Sequence, residues 1–538
     1  MAISETPVTG NSADAVAPKT KPVPKKLHGR EFYKSIGSPK YIVAPMVDRS
    51  EFAWRMLTRS FMSPEESKSL LAYSPMLHAR LFREEAGYRS KQFKPTRASA
   101  GKKDDHSLFQ DGNPALDRPL FVQFCSNNPD DFYEAAREVA PYCDAVDLNL
   151  GCPQGIARRG HYGAFLQEDW DLIYKLINRL HTDLPIPVTA KFRIQETKER
   201  TLEYAKMILS AGASIITLHG RTREQKGHNT GLADWSYIRY LRDNLPPDTV
   251  LFANGNILSN DDIKPCLEAT GADGIMSAEG NLTDPSIFGK PPPVGCEGRE
   301  YWRGRDGKGG YRIDAVFRRY LDIIYKYILE QPAPERKPLY IPSDPEEQVD
   351  HKPATETQPE GEQEDGPPKK KQKREKHKSG KGEKSKLTND PNLRFLQGHL
   401  FQLFRPFIST HINIRDALAR SSPRDMATFE NTLSILEQEI KKGLKEYEQF
   451  PERFETKPDP TLTGSHAAIA EYGRPFWVCQ PHIRPTPEEA LVSGALQEKK
   501  SDKQKKVEDG QTTDTGVKLP ANSLDTPTTP ATDSLVSG

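Results

Sequence analysis

Asp144-Ala-Val-Asp-Leu-Asn-Leu-Gly-Cys-Pro-Gln-Gly-Ile-Ala-Arg-Arg-Gly-His-Tyr-Gly163 begins as a strand and ends as a different kind of segment. Val146, Leu148 and Leu150 alternate with Asp147 and Asn149, the period-two pattern of an extended chain. Gly151, Cys152 and Pro153 then form a turn, and a loop follows that carries Arg158, Arg159, His161 and Tyr162 among glycines. An apolar strand ending in a cysteine-bearing turn sets a thiol at the mouth of a rigid scaffold. Two adjacent guanidinium forks suit phosphate, and the tyrosine offers a stacking face to a planar ring.

The same texture recurs on both sides of this stretch. Short apolar runs at 41–46, 71–77, 120–124, 145–150, 187–192, 215–219, 250–254 and 274–278 make eight candidate strands. Between most of them lie segments of helical spacing, at 130–139, 169–180, 201–211 and 235–242. Strands alternating with helices imply parallel βαβ units, and eight of them predict a closed (β/α)8 TIM barrel. An open doubly wound sheet is the alternative, but no GxGxxG follows the first strand. The polar stretch 91–118, punctuated by glycine and proline, is expected to loop out of the barrel.

A barrel makes a prediction about polar residues, because catalytic groups sit at the carboxyl ends of its strands. Pro45-Met46-Val47, Gln123, Asn149 with Cys152, Lys191, His219, Asn254-Gly255-Asn256 and Ala278-Glu279-Gly280 each follow an apolar run. Cys152 stands beside Asn149 and ahead of the two arginines, so it can serve as nucleophile or as proton donor; an ordinary thiol is mostly protonated at neutral pH. Cys125 and Cys143 lack such surroundings and read as core. Lys191 interrupts an apolar strand, which is costly unless an anion or an electron-rich ring pairs with it. His219 precedes Arg221, Arg223 and Lys226, which favours an anion-facing role. The loops after the seventh and eighth strands of a barrel commonly cradle phosphate with backbone N–H groups, a role open to 254–256 and 278–280.

Composition sets the outer limits. With 538 residues, 45 prolines, 37 glycines and a hydrophobic share of 35%, part of the chain is expected not to fold. The expected organisation is a disordered arm at 1–38, the barrel at 39–295, a small helical domain at 296–335 and 391–450, a disordered insertion at 340–390, an extension at 451–484 and a disordered tail at 485–538. The insertion passes from an acidic part to a run at 369–386 holding ten Lys or Arg, while the whole chain carries a formal net charge of only +1. That run reads as a nuclear-import signal, an RNA-holding arm or a solvated charge block, so the expected location is cytoplasmic, nuclear or both. Six scattered cysteines without a CxxC pair argue against a disulfide framework or a zinc site, and no metal is expected. No apolar run approaches the ~18 residues of a membrane span, and no secretory h-region opens the chain.

Six stretches, in order, resemble the tRNA-dihydrouridine synthases: Ala44-Pro-Met-Val-Asp, Val122-Gln-Phe, Asp147-Leu-Asn-Leu-Gly-Cys-Pro-Gln, Ala190-Lys-Phe-Arg, Leu218-His-Gly-Arg-Thr-Arg and Ala253-Asn-Gly-Asn-Ile. Gly155-Ile-Ala-Arg-Arg-Gly-His-Tyr-Gly163 and Trp477-Val-Cys-Gln-Pro-His-Ile-Arg-Pro485 resemble, more narrowly, the eukaryotic class acting on uridines 16 and 17 of the D-loop. The resemblance implies an FMN-binding barrel followed by a helical domain that helps hold tRNA, in a monomeric NAD(P)H-dependent oxidoreductase. It implies that Pro45, Met46 and Val47 line the flavin, that Gln123 bonds its ring edge, and that Lys191, with His219 nearby, stabilises negative charge on the reduced ring. Asn254, Gly255, Asn256, Ala278 and Glu279 would hold the ribityl phosphate. Cys152 would be the general acid, protonating C5 of uracil after hydride reaches C6, and Arg158, Arg159, Arg221, Arg223 and Lys226 would hold RNA phosphates. Two other functions remain open on the residues: an FMN barrel that reduces free pyrimidines, and a non-catalytic RNA-binding barrel.

Overall fold

The computed structural model describes residues 26–102, 104–345, 390–455 and 459–495. The expected arm before residue 26, the charged insertion over 346–389 with its basic run, and the tail after residue 495 lie outside the described residues.

Each apolar run becomes a strand because it is covered on both sides. The strands are β1 (Tyr41–Val43), β2 (Leu71–Tyr73), β3 (Leu77–His78), β4 (Leu120–Cys125), β5 (Ala145–Leu150), β6 (Val188–Arg193), β7 (Ile216–His219), β8 (Leu251–Asn254) and β9 (Gly274–Ser277). All pair in parallel, β9 with β1 and β2 with β4 closing the ring. β2 and β3 pair with successive parts of β4 and act as one stave, so the ring has the eight staves of a TIM barrel. Every residue of β4, β5 and β6 is buried. Helices enclose the ring, and side-chain oxygens hold their first free N–H groups. Asn128 accepts from Asp130 and Asp131, Asp169 from Leu172, Thr197 from Arg200 and Asp234 from Ser236.

The strands place two kinds of residue on two parities. Val146, Leu148, Leu150, Val188, Ala190 and Phe192 join the main apolar core. The intervening positions are polar, and the parallel register aligns them: Gln123 opposite Asp147, Asn149 opposite Lys191, and His219 opposite Asn254. Alternation along a strand therefore becomes a polar layer across neighbouring strands.

Several expected loops turn out to be structural. Residues 26–38 are not an arm: Gly29–Ser35 is a helix whose Phe32 and Tyr33 are buried, and the Lys26 ammonium donates to the carbonyls of Leu180, His181 and Leu184. The stretch 91–118 does not simply loop out. Asp111 and Asp117 reach the buried Arg55 guanidinium at 2.8 Å and 2.5 Å, and Ser50 O accepts from it at 2.7 Å. An arginine with no exposed side-chain surface needs those carboxylates, which is why so polar a segment is drawn inward.

After the barrel, an antiparallel hairpin of β10 (Tyr301–Arg303) and β11 (Gly309–Tyr311) precedes a helix at Ile313–Ile323 that continues as a π-helix over Ile324–Leu329. The helical region expected from residue 391 opens with three short helices, Pro391–Arg394, Leu396–Leu403 and Arg405–Ile408. Ile412–Arg420 adds a fourth, and Met426–Gln449 is a long one. This helical region is joined to the barrel through the helix Phe52–Arg59. Asn392 Oδ1 accepts from Ala53 N at 2.8 Å, and the Trp54 indole stacks on His399 with ring centroids 4.2 Å apart.

The last described segment is anchored rather than loose. Trp477 is fully buried among Trp302, Tyr447, Phe454 and Phe476, and Cys479 N donates to Tyr311 O at 2.9 Å. The expected tail begins with structure, a helix at Pro487–Val492 started by a Thr486–Glu489 capping box. Among the described residues no helix is long and apolar enough to cross a membrane, and no group of three or more His, Cys, Asp or Glu is placed to hold a metal ion.

Candidate active site

The polar layer ends at the carboxyl side of the barrel in two sets of hydrogen bonds. Thr189 Oγ1 donates to Asp147 Oδ1 at 2.6 Å, and Gln123 Nε2 donates to Asp147 Oδ2 at 2.8 Å. Asn149 Nδ2 in turn donates to Gln123 Oε1 at 2.8 Å. One rank further out, Lys191 Nζ donates to Asn254 Oδ1 at 2.9 Å, and Asn254 Nδ2 to Met276 O at 3.0 Å. Burial, with Arg193 nearby, pulls the Lys191 ammonium down to about 7, although Asp147 works the other way. Burial also lifts the Asp147 carboxyl to about 6. A lysine shifted down and a carboxyl shifted up by burial in one barrel mouth mark a functional site more than a stabilising one.

Cys152 hangs on the first of these sets. Asn149 Oδ1 accepts from Gly151 N at 3.1 Å and Cys152 N at 2.9 Å, so the residue that binds Gln123 also shapes the turn bearing the thiol. Arg193, buried two residues beyond Lys191, donates from Nε to Gly151 O at 2.7 Å and from Nη1 to Thr222 O at 3.0 Å. The turn is thus held from β5 on one side and β6 on the other. Gly163, at φ +64°, closes over it: a Cβ there would lie 2.8 Å from Cys152 O and 3.0 Å from its Cβ. Burial pushes the Cys152 thiol up, and the surrounding Arg193, Lys191 and Lys226 do not overcome it. A thiol held protonated is a proton donor and a poor nucleophile, which favours one of the two roles the sequence left open.

On the far side of the mouth, β7, β8 and β9 line an open cleft with His219, Arg221, Asn254, Gly255, Asn256, Ala278 and Glu279. Gly255 adopts φ +111°, where a Cβ would sit 2.6 Å from Ala233 Cβ and 3.1 Å from His219 Cδ2, so only glycine lets the turn pack this closely against them. Asn256 Oδ1 accepts from Arg221 Nη2 at 2.8 Å and from Ala233 N at 3.0 Å. The His219 ring, 3.1 Å from Arg221 Nη1, is held neutral well below the ordinary histidine value by burial and the adjacent cations. Its Nε2 therefore accepts from the guanidinium.

Pro45 and Met46 are buried at the end of β1, and Val47 is half-buried. Ser50 Oγ pins this turn, accepting from Met46 N at 2.9 Å and donating to Ala44 O at 2.8 Å. The structure thus gathers Pro45 to Val47, Gln123, Cys152, Lys191, His219, Asn254 to Asn256, Ala278 and Glu279 at one barrel end.

The expected RNA-facing cations do not form a single set. The segment after Cys152 is a helix, Gly155–Gly160, ended by His161 at φ +50°, and it leaves Arg158 and Arg159 exposed. Neither guanidinium has a hydrogen-bond or ion-pair partner among the described residues. Tyr162 offers no stacking face: it is 5% exposed and packs edge-on against His78 at 5.6 Å. Arg221 lies inside the cleft, and burial lowers it to about 10. Arg223 is tied to Glu168 at 2.5 Å and Glu224 at 3.1 Å, and Lys226 donates to Pro153 O at 2.7 Å, so these two brace the cysteine loop. Glu279 also departs from expectation. Its Oε1 accepts from Arg484 Nε at 3.1 Å and Nη2 at 2.9 Å, and a carboxylate so placed orients a cation and would itself repel a phosphate.

Asp147, Arg193 and Arg484 were missed. Asp147 shares the parity of Asn149, and Arg193 that of Lys191, so the alternation itself pointed to both. Arg484 lies 205 residues from its partner and carried no such signal.

This geometry accords with comparisons to known proteins. The family described as Dihydrouridine synthase (Dus) matches residues 42–297. A tRNA-dihydrouridine(16/17) synthase [NAD(P)(+)] of Schizosaccharomyces pombe is 42% identical over 463 residues, covering 86% of this chain and 92% of that protein. Its namesake in Saccharomyces cerevisiae is 38% identical over 486 residues, covering 89% and 93%. A mouse protein named as tRNA-dihydrouridine(16/17) synthase [NAD(P)(+)]-like is 34% identical over 466 residues, covering 86% and 72%. The likeness runs through the barrel and on past it, so the polar mouth built on Cys152, Lys191 and Asn254 is that of a chain belonging to the dihydrouridine synthase family.

Proposed function

We propose that this chain reduces uridine to 5,6-dihydrouridine in the D-loop of tRNA, at positions 16 and 17, with NADPH or NADH as the source of electrons and FMN as the resident cofactor. One observation supports it most: a protonated, half-buried thiol shares a barrel mouth with a buried lysine and an arginine-lined cleft.

The mouth fits FMN. The cleft beside the Asn254-Gly255-Asn256 turn is lined by Arg193, Arg221 and Arg484, a cationic set suited to a phosphate, and the Lys191 ammonium is buried with one side-chain acceptor, Asn254. Pro45, Met46, Val47 and Gln123 would hold the ring together with Lys191. His219, Asn254, Gly255, Asn256 and Ala278 would hold the ribityl phosphate side, with the Glu279 side chain acting through Arg484. When bound, FMN supplies the hydride that reaches C6 of uracil.

The protein's own contribution is the proton at C5. Cys152 Sγ keeps its proton at neutral pH because burial disfavours the thiolate, and the turn held by Asn149 and Arg193 fixes where that proton is offered. Uracil must leave its stack to reach the thiol, so the bases around it have to be held by their backbone. The exposed Arg158 and Arg159, on the helix directly after Cys152, are free to hold phosphates there. They favour a polymeric substrate over a free pyrimidine.

The reading is tested with purified protein. A flavin absorbance band that bleaches on adding NADPH is expected, with reduction of uridine in tRNA far exceeding that of free uridine. Colourless protein would support the non-catalytic RNA-binding alternative, and equal turnover of free uridine would support the small-molecule reductase.

A further inference from the structure

Arg484 enters the cleft from a segment that lies outside the barrel in sequence. It lines the same space as Gly255, Asn256, Arg221 and Glu279. Its Nε and Nη2 both engage Glu279 Oε1, which leaves Nη1 without a partner among the described residues. Three guanidinium groups, Arg193, Arg221 and Arg484, thus line the cleft with one carboxylate, Glu279. The balance is two uncompensated positive charges beside an Asn-Gly-Asn turn.

The segment carrying Arg484 is tied to the loops of that cleft on both sides. Upstream, Tyr472 OH donates to Asp262 Oδ1 at 2.7 Å, and Asp262 accepts from Leu258 N and Ser259 N just after β8. Cys479 N donates to Tyr311 O of β11 and Trp477 O accepts from Ile313 N at the start of the next helix, which fastens the following stretch. Downstream, the helix Pro487–Val492 packs against the turn Gly227–Asn229, and Pro487 lies against Gly231. The Gly231 carbonyl is the acceptor for Arg221 Nε and Nη2, at 3.1 Å and 2.9 Å. Residues 472–492 therefore form a strap across the β7 and β8 loops, and it delivers one cation to the point it crosses.

We infer that the strap completes the cofactor site, with Arg484 supplying a guanidinium to the terminal phosphate of FMN and Glu279 acting as the positioning residue that aims it. The inference rests on the flavin reading above. A guanidinium recognises phosphate through paired charged hydrogen bonds, so it discriminates FMN from riboflavin, which has the same ring and no phosphate.

The test is to strip the flavin from the full-length protein and titrate it back with FMN and with riboflavin, following flavin fluorescence. The wild-type chain is expected to prefer FMN strongly. Arg484→Gln should weaken FMN by about 10- to 100-fold, as loss of charged hydrogen bonds does, and leave riboflavin within about twofold. Arg484→Lys, which keeps the charge but not the fork, should fall between. FMN binding unaltered in Arg484→Gln overturns the inference, as does an equal loss of both ligands, the result a merely structural role or a misfolded variant would give. If the wild-type chain binds neither flavin, the flavin reading itself has failed; if it prefers FMN and Arg484→Gln keeps that preference, only the role of Arg484 has.

Discussion

Replacing Cys152 with alanine separates the two halves of the proposed reaction. The thiol sits on a turn fixed by Asn149 and Arg193; the Gln154 backbone N–H faces the sulfur, while the Cys152 backbone itself is held through its own N–H and carbonyl. The variant should therefore fold and take up cofactor as the wild type does. An ordinary thiol is ~97% protonated at pH 7, and burial raises that fraction for Cys152. Nearly every molecule is thus ready to donate, and loss of a positioned acid should cost roughly 10²- to 10⁴-fold in the step that protonates C5. The assay mixes pre-reduced enzyme with tRNA and quantifies dihydrouridine by mass spectrometry over time, while reduction by NADPH is followed separately by absorbance. Cys152→Ala is expected to lose the first and keep the second. The pH profile adds a sign check. A group whose working form is protonated and whose pKa is raised keeps its activity below that pKa and loses it above, so the loss that belongs to Cys152 should come above the ordinary thiol range, separate from any change near neutrality that Lys191 brings. Full dihydrouridine formation by Cys152→Ala, or equal losses in both half-reactions, would refute the assignment.

Other consequences follow from the same structure. Arg55→Leu strands two buried carboxylates, Asp111 and Asp117, and should destabilise the fold by about 3–5 kcal/mol in chemical denaturation. Adding Asp111→Asn and Asp117→Asn should recover part of that loss, and no recovery would argue against the ion-pair explanation. Gly255→Ala places a Cβ against Ala233 at a φ reserved for glycine, with a strain of about 1–3 kcal/mol. It should be purified with reduced flavin content, so a fully loaded variant would count against the cradle. Arg158→Ala with Arg159→Ala should raise KM for tRNA while sparing kcat. The double variant should also flatten the salt dependence of tRNA binding, by about one unit of slope for each phosphate it no longer neutralises. An unchanged slope would remove both residues from the interface.

What the sequence disclosed and what it hid follow from distance along the chain. The eight staves were legible because a buried parallel strand is a short apolar run, and the polar residues ending each run stood out against it. Lys191, Asn254 and Gly255 could be assigned to one site because a barrel brings all its strand ends together. Pairings between remote segments left no trace. Asp111 and Asp117 read as ordinary loop residues until Arg55 was seen between them, and Arg223 and Lys226 read as free cations until Glu168, Glu224 and the Pro153 carbonyl were found beside them. Tyr162 was misjudged for a related reason: a left-handed residue at His161 turns its ring inward against His78, and the residue types alone do not show that reversal. Arg484 is the extreme case, since only the folded strap brings it to Glu279.

The most direct measurement of the central claim is a positional one. Unmodified tRNA transcript is incubated with purified protein and NADPH, and dihydrouridine is mapped nucleotide by nucleotide. Dihydrouridine at positions 16 and 17, dependent on NADPH and absent with Cys152→Ala, is the predicted result. Dihydrouridine confined to other positions would contradict the assigned specificity, and its complete absence from tRNA under conditions where the protein carries reducible FMN would contradict the proposed function.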